Sequence, residues 1–434
     1  MPTHLYTPRL NVVRKLLFAA EEYRAKHDIR TLKLVGLLQA WLQLRKRRRE
    51  KRARERVRSF WKLVSQLILF ECINDDAVRY LSLPRGRTRT KGPIKRPDDF
   101  TEVEFREQFR FRKCHFWEIL GALKLPSRGR LMEDGQPVLL RYGKEGHYGW
   151  VWSDQAFMVL LRRMATPSRW VDLQYIIGGS RTKLSAVFNF MLDQMYVKYS
   201  PLICDVKIWS KHFWRFAEHL RSRGCPFDNL VMFVDGHFQP TCRPGGEGCV
   251  NLNMEDYQTY AGKERLHGLK YQAAVLPNGC ALVWGPWRGV FHDATMFSRS
   301  GLLQDLEEIA IEEGQEFAGF GDSAYPLNRH FQRILKGPAT GEGLTAWQRR
   351  YNALMARFRI IVENVFAVCE HYWGILRDRK NLRLGNMAVG KIFPMAVLLY
   401  NLRTILYGNN IVSYMGTTML LPVSVREYLD AVDL

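Results

Sequence analysis

The order of apolar segments in the second half of the chain constrains the fold most. Their lengths and periodicities predict, in chain order, a strand (229–238), a two-stranded hairpin (267–287), a helix (292–314), a short strand (316–326) and a long helix (346–376). The hairpin prediction depends on a Pro-Asn-Gly turn between two apolar runs. Strands interleaved with helices in this order predict an α/β domain with a mixed sheet and flanking helices.

Two further signals lie between the short strand and the long helix. Pro326 predicts the start of a helix that runs to about Lys336, because proline is favoured in the first helical turn. The glycine-rich stretch 337–343 predicts a flexible loop.

The region before this domain has helical periodicity. Residues 105–126 predict one helix with apolar side chains at helical spacing. After a glycine-containing loop, residues 153–198 predict three helices. Ser153 and the Thr166-Pro167 pair predict the starts of the first two.

The boundary between the second and third of these helices suggests a DNA-binding unit. Gly178 and Gly179 end one helix and Ser180 caps the next, which resembles the turn of a helix-turn-helix. The start of its recognition helix would then carry the candidate DNA contacts Arg181, Thr182, Lys183 and Ser185. An ordinary small helical bundle explains the same pattern equally well.

The distribution of charge favours a polyanionic partner. The net charge is +22, from 65 basic and 43 acidic residues. Residues 1–100 carry 25 basic and 10 acidic side chains, so most of the excess lies there. The run at 45–58 has ten basic residues and is typical of a nuclear localisation signal or a phosphate-binding arm, although a solvated helix face is the alternative.

Several classes of protein are disfavoured. We see no uninterrupted apolar run near the roughly 20 residues of a membrane span, and we expect neither a secretory signal nor a membrane partner. The eight cysteines form no CxxC pair, which predicts free thiols in a reducing compartment. Cys242, Cys249 and His237 form a loose cluster, but they lack a second ligand pair at zinc spacing.

Three carboxylates occupy positions suited to catalysis. Asp235 and Asp322 are expected to end two strands, and Glu363 interrupts an apolar stretch of the long helix. Buried acids need partners, and clustered acids raise one another's pKa unless cations compensate their charge. Each acid also has a structural alternative, namely a turn at Asp235, a helix cap at Asp322, and an i,i+4 pair with Arg359 at Glu363.

Together these acids predict a hard-cation site. Carboxylate oxygens favour Mg²⁺ or Mn²⁺ over zinc. Two such ions roughly 3.5–4 Å apart suit in-line displacement at a phosphodiester.

Five ordered motifs make residues 231–373 resemble the endonuclease domain of PIF/Harbinger-class DDE transposases, the Harbinger transposase-derived nuclease family. The motifs are FVDG at 233–236, Gly268–Gln272, GPWRGVFHDATMF at 285–297, GDSAYP at 321–326 and RIIVENVF at 359–366. The resemblance covers about a third of the chain. It implies a ribonuclease-H-like fold whose catalytic and metal-binding acids are Asp235, Asp322 and Glu363.

The resemblance also suggests supporting residues. His292 and Asp293 match a family motif, and Asp293 competes with Asp322 for the second ligand position. We prefer Asp322, because an acid after the third strand should lie off the centre of the sheet and support the site from its edge. Arg359 is a candidate for orienting Glu363 or contacting phosphate, and Lys270 for contacting DNA.

These inferences give four predicted segments: a basic helical segment with linker (1–100), the helix-turn-helix region (101–200), the endonuclease domain (201–410) and a tail (411–434). The predicted function is metal-dependent cleavage and joining of DNA in the nucleus. The alternatives are a domesticated DNA-binding protein without transposition activity, and a basic scaffold or RNA-binding protein. The resemblance suggests a separate Myb-like partner protein, and an oligomer is possible. A long insert at 239–258 departs from the family pattern.

Overall fold

The computed structural model describes residues 92–125, 137–144, 147–244, 259–337, 343–384, 387–416, 422 and 424–433. It divides into two units, residues 1–89 and 90–434, and the described residues belong to the second. The predictions for the basic run 45–58 therefore lie outside the described residues.

The first two helices replace the single helix predicted at 105–126, which was wrong. Helix α1 (Glu102–Phe109) ends at Arg110, whose φ of 67° is left-handed, and α2 (Lys113–Ala122) begins three residues later. This turn lets both helices bury phenylalanines in one cluster. The ring of Phe105 lies 4.6 Å from that of Phe109 and 5.2 Å from that of Phe116.

A two-stranded antiparallel ribbon follows where the sequence predicted a loop. It consists of β1 (Leu139–Lys144) and β2 (His147–Trp152). The cross-strand partners Leu140 and Val151 are buried, so one face of the ribbon packs on the protein.

The three predicted helices after the ribbon are confirmed as α3 (Ser153–Ala165), α4 (Trp170–Ile177) and α5 (Arg181–Cys204). Two of the predicted start signals were wrong. Ser153 lies inside the first turn, where its hydroxyl accepts a hydrogen bond from the amide of Val138. Helix α4 begins at Trp170 rather than at Thr166-Pro167, because Asp172 accepts a hydrogen bond from the amide of Arg169.

The second boundary was predicted correctly. Gly178 and Gly179 end α4 with φ of 78° and 77°, which glycine adopts without strain. Ser180 caps α5 by accepting a hydrogen bond from the amide of Lys183. The local turn is thus as expected, while a DNA-binding helix-turn-helix stays a prediction.

The remaining elements form an α/β domain. In chain order they are α6 (Phe213–Ser222), β3 (Leu230–Pro240), β4 (Tyr260–Ala261), β5 (Leu266–Val275), β6 (Ala281–Arg288), α7 (Asp293–Ser300), α8 (Leu302–Glu313), β7 (Ala318–Gly321), β8 (Phe331–Arg333), α9 (Ala346–Tyr372), α10 (Ile392–Tyr407), α11 (Asn410–Met415) and α12 (Val425–Asp430). The sheet is mixed: β3 pairs antiparallel with β5 and parallel with β7, while β5 pairs with β6 and β7 pairs with β8. The mixed sheet with flanking helices is confirmed, and so is the predicted pairing of the short strand with the first one.

Two predictions within this domain were wrong. Asp235 does not end its strand, because β3 continues to Pro240 and pairs with β5 from Phe233 onward, which also excludes the alternative of a turn at Asp235. The helix predicted from Pro326 is replaced by β8, because Phe331 is fully buried with its ring 4.5 Å from Phe297 and 5.3 Å from Tyr325.

Two long helices complete the core. Helix α9 packs across β3 and β5, as expected. The segment Val389–Tyr407, which contains α10, is long and apolar enough by composition to cross a membrane, but 72% of it is buried inside the protein. A core helix of a folded domain passes the same test, so this is weak evidence for a span. Six cysteines are described, and each is a free thiol.

Candidate functional site

The parallel pairing of β3 with β7 aligns two of the predicted acids. Phe233 and Phe320 are partners in the register, and Asp235 and Asp322 each lie two residues further along. Asp235 lies within β3, whereas Asp322 is the first residue after β7. The register therefore brings these two residues to corresponding positions along neighbouring central strands.

Asp235 is held in place by two hydrogen bonds. Its Oδ1 accepts from the amide of Gly236 at 2.9 Å, and its Oδ2 accepts from Nη1 of Arg359 at 2.7 Å. Its side chain is 20% exposed. Burial raises the pKa of Asp235, the Arg359 charge and the Gly236 amide oppose this, and the negative charges of Asp322 and Asp293 add to the rise.

Helix α9 brings the third predicted acid to the same guanidinium. Phe358 stacks on Phe233 of β3, with ring centres 6.1 Å apart, which places the next residue, Arg359, beside Asp235. Nη2 of Arg359 donates to Oε1 of Glu363 at 2.8 Å, so one guanidinium bridges Asp235 and Glu363. The i,i+4 pair considered as the structural alternative is therefore present. Glu363 is 57% exposed, much more than Asp235.

Asp293 lies nearer to the site than the sequence suggested. A Cβ atom added to Gly236 would lie 2.7 Å from Oδ1 of Asp293, so the carboxylate of the first residue of α7 packs against the β3 backbone next to Asp235. Only glycine leaves room for this approach. His292, which precedes it, is exposed and contributes only backbone to the start of α7. The ranking of Asp322 over Asp293 stays a prediction.

Asp322 itself follows the end of β7. Its Oδ1 accepts a hydrogen bond from the amide of Ala324 at 2.8 Å, and no described helix follows it to be capped. This local turn holds the Asp322 side chain at the end of its strand.

Tyr325 is a site residue that sequence reasoning missed. It is fully buried, and its hydroxyl has no hydrogen-bond partner within the described part of the chain. Burial raises its pKa well above the ordinary value, and the charges of Asp235, Asp293 and Asp322 raise it further. Its only sequence signal was its place in the GDSAYP motif, next to Asp322.

The donor chemistry of this cluster suits a hard cation, although the ligands are not assembled. Among the described residues, no three His, Cys, Asp or Glu side chains are grouped closely enough to hold a metal ion. Arg359 occupies Oδ2 of Asp235 and Oε1 of Glu363. Even so, burial raises the pKa of Asp235, and the charges of Asp322 and Asp293 add to this rise, so a bound cation would stabilise the ionised acids.

The predicted DNA contacts have different environments. Arg181 and Thr182 are exposed in the first turn of α5, and Lys183 is half-buried. Lys270, on β5, donates from Nζ to the backbone oxygen of Phe291 at 2.6 Å. It thereby holds the segment that leads into His292 and Asp293, and a DNA-binding role for any of these four residues stays a prediction.

The family comparison agrees with this geometry. Residues 234–401 match the family model described as DDE superfamily endonuclease, a stretch that runs from β3 into α10 and includes Asp235, Asp293, Asp322 and Glu363. Comparison with curated proteins and with solved structures finds no match. Residues 234–401 are thus similar to DDE superfamily endonucleases, which supports a DDE transposase-like nuclease domain.

Proposed function

We propose that the protein is a divalent-metal-dependent DNA endonuclease and transposase of the PIF/Harbinger class, which cuts DNA and joins 3′-hydroxyl groups to target phosphates. The observation that carries this proposal is the parallel pairing of β3 with β7, which brings Asp235 and Asp322 to corresponding positions within the stretch similar to DDE superfamily endonucleases.

Asp235, Asp322 and Glu363 would hold two Mg²⁺ or Mn²⁺ ions, with Asp293 and His292 as supporting neighbours. Such ions, when bound, supply Lewis-acid chemistry that activates a water or 3′-hydroxyl nucleophile and stabilises the leaving oxygen. The fully buried Tyr325 would provide an apolar neighbour for the acids, whose charges act on its hydroxyl. Arg359 orients Asp235 and Glu363 through two nitrogens of one planar group.

DNA would be gripped outside this cluster. We assign Arg181, Thr182 and Lys183 to a helix-turn-helix contact, because the first turn of α5 is exposed and capped. Lys270 is the weaker assignment, since its ammonium already binds the backbone of Phe291. A Myb-like partner protein and an oligomer are part of the same proposal by resemblance to the family.

A second candidate function is favoured by the Arg359 bridge. The guanidinium binds both Asp235 and Glu363 and offsets one of their two negative charges without a metal ion, as it would in a domesticated DNA-binding protein that no longer cuts DNA. The two candidates differ in one measurable property, metal-dependent cleavage.

The decisive experiment is a nicking assay with the purified full-length protein on a supercoiled plasmid that carries the gene's flanking DNA. We expect nicking with Mn²⁺ and none in EDTA. Asp235→Asn and Glu363→Gln should each lower the nicking rate about 10³-fold and leave DNA affinity within a few fold, because several kcal/mol of charge stabilisation is lost.

Matched controls lie on the same elements. Asp228→Asn changes an exposed acid just before β3, and Glu370→Gln changes an acid seven residues after Glu363 on α9. Both should nick normally. Unchanged nicking in Asp235→Asn contradicts the acid assignment, whereas DNA binding without any metal-dependent nicking supports the domesticated protein.

We also propose that the protein enters the nucleus through residues 45–58. Replacing the arginines of this run by glutamine should reduce the nuclear fraction of a fluorescent fusion, and undisturbed nuclear entry would remove this role.

A further inference from the structure

The β1–β2 ribbon exposes three large aromatic side chains on one face. Tyr148, Trp150 and Trp152 alternate along β2, and they are 49%, 40% and 38% exposed. Alternate residues of a strand share a face, so the three rings form one row, which we call the aromatic ladder. Their partners on β1 are Gly143, Arg141 and Leu139.

The opposite face of the ribbon fixes its position on the protein. Leu140 and Val151 are buried, and the ring of Tyr142 lies 6.5 Å from that of Phe190 on α5. Gly149 makes this packing possible, because a Cβ atom there would lie 2.5 Å from the ring of Tyr142. The fold therefore needs the buried face of the ribbon, while the aromatic ladder faces solvent.

Basic groups accompany the ladder. The guanidinium of Arg141 lies 3.5 Å from the ring centre of Tyr148, and that of Arg96 lies 5.0 Å from a ring centre of Trp152. The sequences of the two strands contain no acidic residue. Aromatic rings interleaved with cations suit a partner that combines flat apolar groups with negative charge, which is the chemistry of a nucleic acid strand.

The spacing of the rings selects the form of that strand. Residues two apart on a β-strand are separated by roughly 6.6–6.8 Å. Stacked bases in a duplex rise only about 3.4 Å, and their faces are covered by neighbouring bases. Successive rings can therefore receive successive bases only from an extended strand whose bases are unpaired and unstacked.

We propose that the aromatic ladder is a binding site for an unpaired DNA strand, with bases stacked on Tyr148, Trp150 and Trp152 and phosphates near Arg141 and Arg96. The site uses none of the acidic residues of the nuclease site. Only the choice of DNA over RNA rests on the proposed function, since a DNA-cutting enzyme exposes unpaired DNA at the ends it makes.

The test measures binding of a fluorescein-labelled 12-nucleotide single strand to the full-length protein by fluorescence anisotropy, in EDTA so that cleavage cannot interfere. Base stacking on one aromatic ring contributes about tenfold to affinity. We expect Tyr148→Ala/Trp150→Ala to weaken single-strand binding at least tenfold and binding of a matched duplex less than twofold. Trp150→Leu, which keeps apolar bulk, should also weaken single-strand binding.

The matched control is Trp214→Ala. Trp214 is 50% exposed on α6 with the guanidinium of Arg215 5.1 Å from its ring centre, so it resembles a ladder residue without being part of the row. It should bind the single strand normally. Asp235→Asn should also bind normally in EDTA, and this separates failure of the ladder from failure of the nuclease proposal.

Three outcomes would overturn the proposal. The first is unchanged single-strand affinity in the double variant with a normal melting temperature. The second is an equal loss of duplex binding. The third is self-association of the wild-type protein in sedimentation that is lost in the double variant, while its single-strand affinity is unchanged. That result would show that the ladder is a protein interface. Tenfold tighter binding of the RNA strand of the same sequence would overturn the assignment to DNA.

Discussion

The acidic site and the aromatic ladder are both built on neighbouring β-strands, yet they place their side chains in opposite environments. Asp235 lies on a central strand of a sheet under α9, where burial raises its pKa. The ladder lies on the exposed face of a ribbon that packs through its other face. The difference shows that groups whose charge must be perturbed are placed inside the fold, and groups that must meet a partner are placed outside it.

The two regions also differ in what supports them. Asp235 is oriented by its own backbone and by Arg359 from a helix that is distant in sequence. The ladder residues are oriented by one short strand and its partner. We therefore expect the acidic site to fail when any of its contributing elements is altered, and the ladder to depend only on its own residues.

The largest expected effect is that one variant loses nicking but keeps single-strand binding, while the other loses single-strand binding but keeps nicking. Asp235→Asn should lower duplex nicking about 10³-fold with single-strand affinity within twofold, because the ladder contains no residue of the acidic site. Tyr148→Ala/Trp150→Ala should keep the initial nicking rate within about threefold. Nicking rates and anisotropy measured on the same two preparations check this prediction, and parallel losses in both variants would show that the regions act as one site.

An intermediate effect is expected at Arg359. Arg359→Gln should lower kcat for nicking about 10–100-fold with KM for DNA nearly unchanged, because Asp235 and Glu363 lose their shared donor. Arg359→Lys should restore only part of the rate, since an ammonium lacks the planar pair of nitrogens. Arg357→Gln, an exposed change on the same helix, is the control. A raised KM with normal kcat would instead indicate a phosphate contact.

The smallest effect concerns a buried carboxylate next to the ribbon. Asp154 lies in the first turn of α3 and is fully buried, and burial raises its pKa, with the Gln155 amide and Arg96 opposing and Asp98 adding to the rise. A pKa raised in the folded state means that protonated Asp154 favours folding. The contribution of protonated Asp154 to the free energy of unfolding is complete below the ordinary pKa of 3.8, and it is lost as the pH rises through the pKa of the folded state.

Asp154→Asn should therefore raise Tm at pH 7 and flatten the fall in Tm above pH 4, as scanning calorimetry would measure. Asp228→Asn, in an exposed position, should leave the curve unchanged. A lower Tm in Asp154→Asn at pH 7 would mean that the fold stabilises the ionised form of Asp154. Burial would then not raise the pKa of Asp154 as it raises the pKa of Asp235.

Much of the endonuclease domain could be predicted because its signals are local. The apolar runs around Asp235 and Asp322 have strand periodicity, and the long stretch around Glu363 has helical periodicity. Their order predicted that β7 would lie beside β3, which the register confirms. The acids could be recognised because a charge within an apolar run is costly to bury unless it has a partner.

Other features could not be predicted because they depend on contacts between distant residues. Proline at 326 favours a helix locally, but burial of Phe331 against Phe297 makes the following segment a strand. The ribbon is rich in glycine and resembles a loop, and only its packing through Tyr142 reveals a strand pair.

The amino-acid sequence by itself determined the main strands and helices of the α/β domain and which acids interrupt them, because hydrophobic periodicity acts over a few neighbouring residues. The tertiary structure alone decided that one guanidinium bridges Asp235 and Glu363, that Asp293 packs against Gly236, and that three aromatic rings form an exposed row. These arrangements arise when separate elements pack together, and side-chain packing across long sequence distances leaves no periodic signal in the chain.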